Sequence, residues 1–495
     1  MQSKQISRRE FVKTSVSALA LTSAPFHFAT AQTTIRVRPE WQQFKASPNY
    51  ASFIDAIRIM RANTNAADRS SWRYWTNVHV NYCPHDIAYF LAWHRGYLYY
   101  FEQQLRIVSG NNNLVLPYWD YYRYPTIPSE FTDRATGNPL YVQRVNTNVY
   151  RALSLAPFAS TVWNFERGRT NAFEPLIESR PHNPVHSIIG GAMANLQSPL
   201  DPIFYLHHAN IDRLWHAWAM PNGKGIPYVT SPYWAGSFTY APNLTLPRAQ
   251  CYHPNRVGTD YVDVTPPSSL PPQAKSSNII RVQAQQGNGG NGQLRRPPLG
   301  GFPASAPRAI GSGRRSVGGA TGITLGDNSV SVAVQVPAQD SQVLQNIAAR
   351  VATNGGVGEQ PAEAFKSMQV VLDNVRLLGA GRQGGYFYAV YLNLPESGDA
   401  SAAQQRYFLG TVGPFEINSA AHHHGGRLVF PATEVLANVA SANLDTLTVS
   451  LVRTSGQNTP KGPTIAIGEI RVEVSTNPPF NTAPHVPKPD NVPYR

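Results

Sequence analysis

Seven of the fourteen histidines crowd into two stretches of the first half of this chain, and no other feature restricts its fold as much. His79, His85 and His94 lie in NVHVNYCPHDIAYFLAWHRGYLYYFEQQL, and His182, His186, His207 and His208 in PHNPVHSIIGGAMANLQSPLDPIFYLHHANIDRLW. Both stretches are apolar or aromatic on nearly every face, the pattern of helices buried all round. One imidazole in such a place is ordinary core, but two groups of them need a common purpose. His182 and His186 are four residues apart, which on a helix separates them by about 40° and directs both rings at one point. His85 and His94 are nine apart and would fall on opposite faces of one straight helix, so His85 is expected in the loop before the helix that carries His94, with Pro84 at the helix entrance. Imidazole clusters without a carboxylate or thiolate run suit copper better than calcium, magnesium or structural zinc, with a three-histidine zinc site as the alternative.

The remaining sequence divides by composition. Residues 1–31 have the form of a twin-arginine export signal, with SRREFVK, an apolar run and the small-residue site ATA, which predicts a periplasmic or secreted protein. Residues 32–264 hold the aromatic, helical segments. Residues 265–322, with TPPSSLPPQAK, QQGNGGNGQ and RRPPLGGFPASAP, read as a Pro/Gly-rich linker. Over 323–480 the apolar period becomes two, in VSVAVQV, YFYAVYLNL and TIAIGEIRVEV, which predicts an antiparallel β-sandwich, and 481–495 is a tail. The expected fold class is therefore α+β multidomain, a helical bundle followed by a β-sandwich. A net charge of +13 without a Lys/Arg run argues against nucleic acid, and no internal stretch predicts a membrane anchor. Only Cys83 and Cys251 are present, so this is no disulfide scaffold.

The two histidine stretches, with LPYWDYY (Leu116 to Tyr122) between them, strongly resemble the signatures of the tyrosinase, catechol oxidase and hemocyanin superfamily of binuclear copper proteins. The resemblance covers most of the helical part and implies two copper ions, CuA on His79, His85 and His94 and CuB on His182, His186 and His208. In the His-His pair the family uses the second residue, which leaves His207 as a neighbour. Cys83 and His85 resemble the Cys-X-His pair that many members join by a thioether. Phe204, four residues before His208, shares that ligand's face and is expected to roof the site. Glu174 and Asn183 resemble the pair that holds a proton-accepting water in members hydroxylating monophenols, with Glu178 as the competing carboxylate. Asp212 and Arg213 either orient a ligand imidazole or tie helices together. His422, His423 and His424 read as a polar loop.

The resemblance thus implies an exported, bacterial-type tyrosinase or polyphenol oxidase that uses O2 to convert o-diphenols to o-quinones and also hydroxylates monophenols. A catechol oxidase or o-aminophenol oxidase is the nearest alternative, a hemocyanin-like oxygen carrier or a zinc hydrolase the more distant ones. Partners so implied are O2 and small phenols, and the reading is compatible with a copper chaperone and with homo-oligomers. In the resembling family a C-terminal β domain often inserts one side chain over the copper mouth and keeps the enzyme latent. GGYFYAVYL supplies the candidates here, Tyr386 and Phe387, with release expected from proteolysis, mild acid or detergent.

Overall fold

The apolar runs of the first half become helices α1 (Asn49–Ala62), α2 (Trp72–Tyr82), α3 (Phe90–Ser109), α4 (Asn183–Ile189) and α5 (Ile203–Ala219) in a computed structural model. It describes residues 35–219, 224–272, 293–352, 364–423, 425–439 and 444–479, so the expected export signal and the tail lie outside the described residues. α5 is buried along its whole length, as a sequence apolar on every face requires. α3 starts at Phe90, later than Pro84 suggests, because Asp86 and Tyr89 take φ values of 58° and 73° that no right-handed helix accepts. Residues 83–89 are consequently a loop, and His85 lies in it.

Buried charges fasten these helices. Asp212 Oδ1 accepts from Arg95 Nε at 2.7 Å and its Oδ2 from the Tyr261 hydroxyl at 2.6 Å, joining α5 to α3 and to the strand Thr259–Tyr261. That strand runs parallel to Arg36–Arg38, so the two ends of the helical region are paired. Arg213 donates to Asn210 and lies over the Tyr118 ring at 4.9 Å. Of the two readings of this pair, the bonds of Asp212 express the tie between helices, while Arg213 holds α5 against the segment bearing Tyr118. Paired in this way, buried charges are tolerated; losing one partner would strand the other.

The second half holds β1 (Arg314–Leu325), β2 (Val330–Gln335), β3 (Ser367–Asp373), β4 (Tyr386–Leu392), β5 (Phe408–Val412), β6 (Leu428–Pro431), β7 (Thr446–Ser455) and β8 (Ile465–Ser475). One antiparallel sheet runs β6-β3-β8-β1 and the other β5-β4-β7-β2. Val317, Val370 and Ile470 of the first share a core with Val332, Tyr388 and Val449 of the second, which makes a sandwich. The stretch read as a linker is partly structured: Gln293–Arg295, Ala304–Ser305, Arg308–Gly311 and β1 as far as Gly322 are strands. Glycine and proline hide the period of two there, and pairing with β8 supplies what local propensity lacks.

The described residues from Arg36 onward form one compact unit, and its two halves meet in part through backbone. Gly385 N–H donates to Ser187 O at 2.7 Å. Beside it Gly384 (φ 83°) crosses Gly190 (φ 71°) so closely that a Cβ on Gly384 would lie 2.7 Å from the Gly190 Cα, so only glycine meets both demands. Between β5 and β6 the chain forms α6 (Pro414–His423), with proline in its first turn and Glu416 near its positive end. His422 and His423 thus belong to the last turn of a helix and not to a polar loop, and His424 lies outside the described residues. Among the described residues no helix is long and apolar enough to cross a membrane.

Candidate metal centre

α2 supplies His79, the 83–89 loop supplies Cys83 and His85, and α3 supplies His94, with one donor atom of each within 4.8 Å of the others. A second group of the same tightness joins His182, on the irregular turn entering α4, His186 on α4, and His207 and His208 on α5. All eight side chains are buried. The stacked rings of His94 and His208, centroids 4.2 Å apart, bring the groups together.

Hydrogen bonds fix how the rings face. His79 Nδ1 lies 2.8 Å from Leu196 O, His94 Nδ1 2.8 Å from Phe90 O and His186 Nδ1 2.8 Å from Met193 O. A carbonyl only accepts, so each Nδ1 carries the proton and donates it outward, leaving a lone pair on Nε2. His182 Nδ1 is held the same way by Asn183 Oδ1 at 2.7 Å. Inside, His182 Nε2 and His186 Nε2 each lie 3.3 Å from His208 Nε2. Lone pairs that close repel one another unless a cation stands among them. Burial pulls His79 down to about 4 and His186 to about 3, and drives His85, His94, His182, His207 and His208 well below the usual histidine value. The rings are therefore neutral, the form a metal binds. His79 Nε2 is buried without a hydrogen-bond partner, a cost a bound ion removes. Two groups of neutral imidazoles with converging lone pairs fit two copper ions.

The other site residues separate into roles. Phe204 is buried against His208 at 4.2 Å and His79 at 5.0 Å, so it spans both groups. His207, expected as a neighbour, stands inside the second group with its ring 5.2 Å from that of His182. Glu174 Oε1 accepts Leu91 N–H at 3.3 Å at the start of α3, and Asn183 is engaged with His182. Glu178 is paired with Arg167 and accepts Asp86 N–H at 2.9 Å, which steadies the residue next to His85. Burial raises Glu174 to about 7 and raises Glu178 as well, against the pull of Arg167.

The aromatic cover comes from a residue the sequence did not single out. Phe415, at the start of α6, stacks on His186 with centroids 4.1 Å apart and meets His85 at 5.2 Å and His182 at 5.5 Å. Its backbone N–H donates to Ser187 Oγ at 3.3 Å, and Asn418 Nδ2 donates to Ala194 O at 2.8 Å. Tyr386 instead turns into the sandwich core, and Phe387, one residue on and facing the other way, packs into the helical core. Neither Tyr386 nor Phe387, the expected plug residues, lies over the histidines; the ring that does is Phe415. The signal was PFEINSAA, a proline-led helix start bearing one aromatic.

Residues 60–150 and 130–220 match the family model described as the common central domain of tyrosinase, and residues 317–474 match a domain of unknown function. A tyrosinase of Hahella sp. is 35% identical over 188 residues, 30% of this chain and 40% of the relative. Chloroplastic polyphenol oxidase E of Solanum lycopersicum is 28% identical over 321 residues, 52% of this chain and 54% of the relative. The chain thus spans about half, or less, of the length of these curated relatives. Among solved structures, latent apple tyrosinase shares the fold with a TM-score of 0.50 at 20% identity, over 89% of this chain and 97% of that one.

Since each group has few imidazoles to spare, His94→Ala or His208→Ala is expected to leave one tightly held copper per chain where the parent holds two, by elemental analysis of the purified protein. Two retained coppers in either variant would refute the ligand assignment.

Proposed function

We propose that this chain, which belongs to the type 3 copper superfamily of tyrosinases and polyphenol oxidases, oxidises o-diphenols to o-quinones with O2 and is latent while α6 is seated. The observation that carries the reading is the pair of inward-facing imidazole groups with Phe415 stacked over one of them. A copper pair held there supplies two-electron exchange with O2. The chain's own part is to orient the rings, exclude water with Phe90, Phe204 and Phe415, and control which phenol enters. Export by the twin-arginine route remains part of the proposal and rests on SRREFVK.

Hydroxylation of monophenols is the finer part of the proposal. Support comes from Asn183, fixed beside His182, and from a buried carboxylate kept basic by desolvation. Glu178 is better placed than Glu174 for taking a phenolic proton, since it reaches the loop that carries His85. O2 uptake on a monophenol and on its catechol tests the reading. Turnover of both supports tyrosinase, turnover of the catechol alone supports catechol oxidase, and O2 binding without turnover would overturn the enzyme reading.

Phe415→Ala should raise turnover of bulky catechols by the uncleaved protein at unchanged copper content. Equal kcat and KM in parent and variant would sink the plug.

Cys83 Sγ lies 3.5 Å from His85 Nε2 and 3.3 Å from His94 Nε2, and burial raises its thiol, so a free thiolate is disfavoured. We propose a thioether from this sulfur to a ring carbon of His85. The S–H and C–H hydrogens leave as two protons and two electrons taken by O2, which becomes hydrogen peroxide. The mature protein should weigh two hydrogens less and yield a cross-linked peptide that survives reduction; a Cys83 thiol that alkylates in denaturant would refute it.

Glu416, next to the plug, is buried with Oε1 accepting Thr411 Oγ1 at 2.7 Å and Oε2 accepting Ser187 Oγ at 3.3 Å, and it faces the Asp86 carboxylate. Burial lifts it from 4.5 to about 7. Because the seated state raises this value, its contribution to seating is complete below the ordinary carboxylate value and is lost as pH rises through about 7. Mild acid is therefore expected to tighten this contact. Latency should fall between about pH 5 and about pH 8, and Glu416→Gln should flatten that profile in an assay of phenol turnover against pH. An unchanged profile would refute Glu416 as its source.

A further inference from the structure

α6 carries more than its plug. Phe415, Ser419 and His423 recur every four residues and so share one face of the helix. Phe415 lies over His186, while the His423 ring has its centroid 6.3 Å from that of His85, in the first group. His422 precedes it with the two rings 4.7 Å apart. Exposure falls along the series: His422 is exposed, His423 half-buried and His85 buried. Three imidazoles thus stand in file from solvent to the first group.

The spacings suit a moving metal ion. With metal–nitrogen bonds of about 2 Å, two rings at the separation of His422 and His423 can grip one ion between adjacent edges, and the wider gap from His423 to His85 is about the span of an ion shared from opposite sides. A route of this kind answers a physical problem. With α6 seated, the centre is walled by Phe90, Phe204 and Phe415, all buried, and a hydrated ion would have to shed its water against apolar rings before meeting a ligand.

We propose that His422 and His423 form an entry site that captures a copper ion at the surface and hands it to the first group through His85. The transfer is ligand exchange: bonds to His422 and His423 break as bonds to His85 and its partners form, and the oxidation state does not change. The inference rests on the copper reading of the buried centre. It assigns to α6 a function distinct from sealing, since Phe415 and the histidine pair sit at opposite ends of the helix.

The test uses the uncleaved chain, stripped of metal with chelator and titrated with cupric ion. Metal content is read by elemental analysis after desalting, and the time course of filling is followed alongside. The parent should hold a third, weakly bound equivalent that chelator removes first. The double variant His422→Gln/His423→Gln should lose that equivalent and fill its two buried sites several-fold more slowly, yet reach the same final two. His422→Gln alone, a change at an exposed position, should already slow filling. A parent that binds only two ions, or variants that fill at the parent's rate, would overturn the entry site and leave the buried centre standing. A parent that retains no copper would overturn both.

Discussion

The centre depends on bonds that point away from it. A buried imidazole can turn either nitrogen inward, and only the neutral form with its lone pair inward serves a metal. Leu196 O and Met193 O settle the choice for His79 and His186, Phe90 O settles it for His94, and the Asn183 amide does so for His182. Each bond contributes only about 1 kcal/mol to net stability, but each fixes a tautomer and a ring plane at once. The architecture follows from that need. α3 provides one acceptor from its own first turn, and the segment between α4 and α5 must fold back so that its carbonyls reach rings on two different helices.

This explains what could be read from the amino acids and what could not. His182 and His186 were legible as a pair because four-residue spacing is a property of the helix itself, and His85 was legible as a loop ligand because nine-residue spacing forbids one helix. The acceptors at 193 and 196 were not, since a backbone carbonyl has no residue identity and GGAMANLQ reads as a spacer. The sandwich was visible where alternation is clean, as in β2, β4 and β8. It was hidden in the glycine-rich β1, whose strand character comes from a partner more than a hundred residues away. Phe415 escaped notice for a related reason: its importance lies in where a ten-residue helix is set down, which pairing of β5 and β6 with strands of two different sheets decides.

Alternation also shows why the right strand suggested the wrong plug. β4 is buried on both faces, so every residue of YFYAVYL is apolar and the sequence cannot say which face meets which partner. In the structure Tyr386 and Tyr388 fill the sandwich while Phe387 enters the helical core, so β4 fastens the two halves and α6 reaches the copper mouth. Fastening and sealing are thereby divided between two elements. The fastening contact combines the Phe387 ring with backbone bonds such as Gly385 N–H to Ser187 O, whereas α6 is held by a few polar bonds to residues 187 and 194. A loss at the seal alone can open the centre without separating the halves.

That division has a consequence for metal as well as substrate. An apolar ring over the centre keeps water from it, and an ion stripped of water finds no ligand in phenylalanine. A cover that is tight toward water is then tight toward copper, unless it carries donors of its own on the path. α6 meets both demands by length: its first turn sets an aromatic ring on His186, and two turns later the same helix brings an imidazole beside His85. The positive end of a helix could not hold a cation there, but its last turn favours one, and that is where His422 and His423 stand.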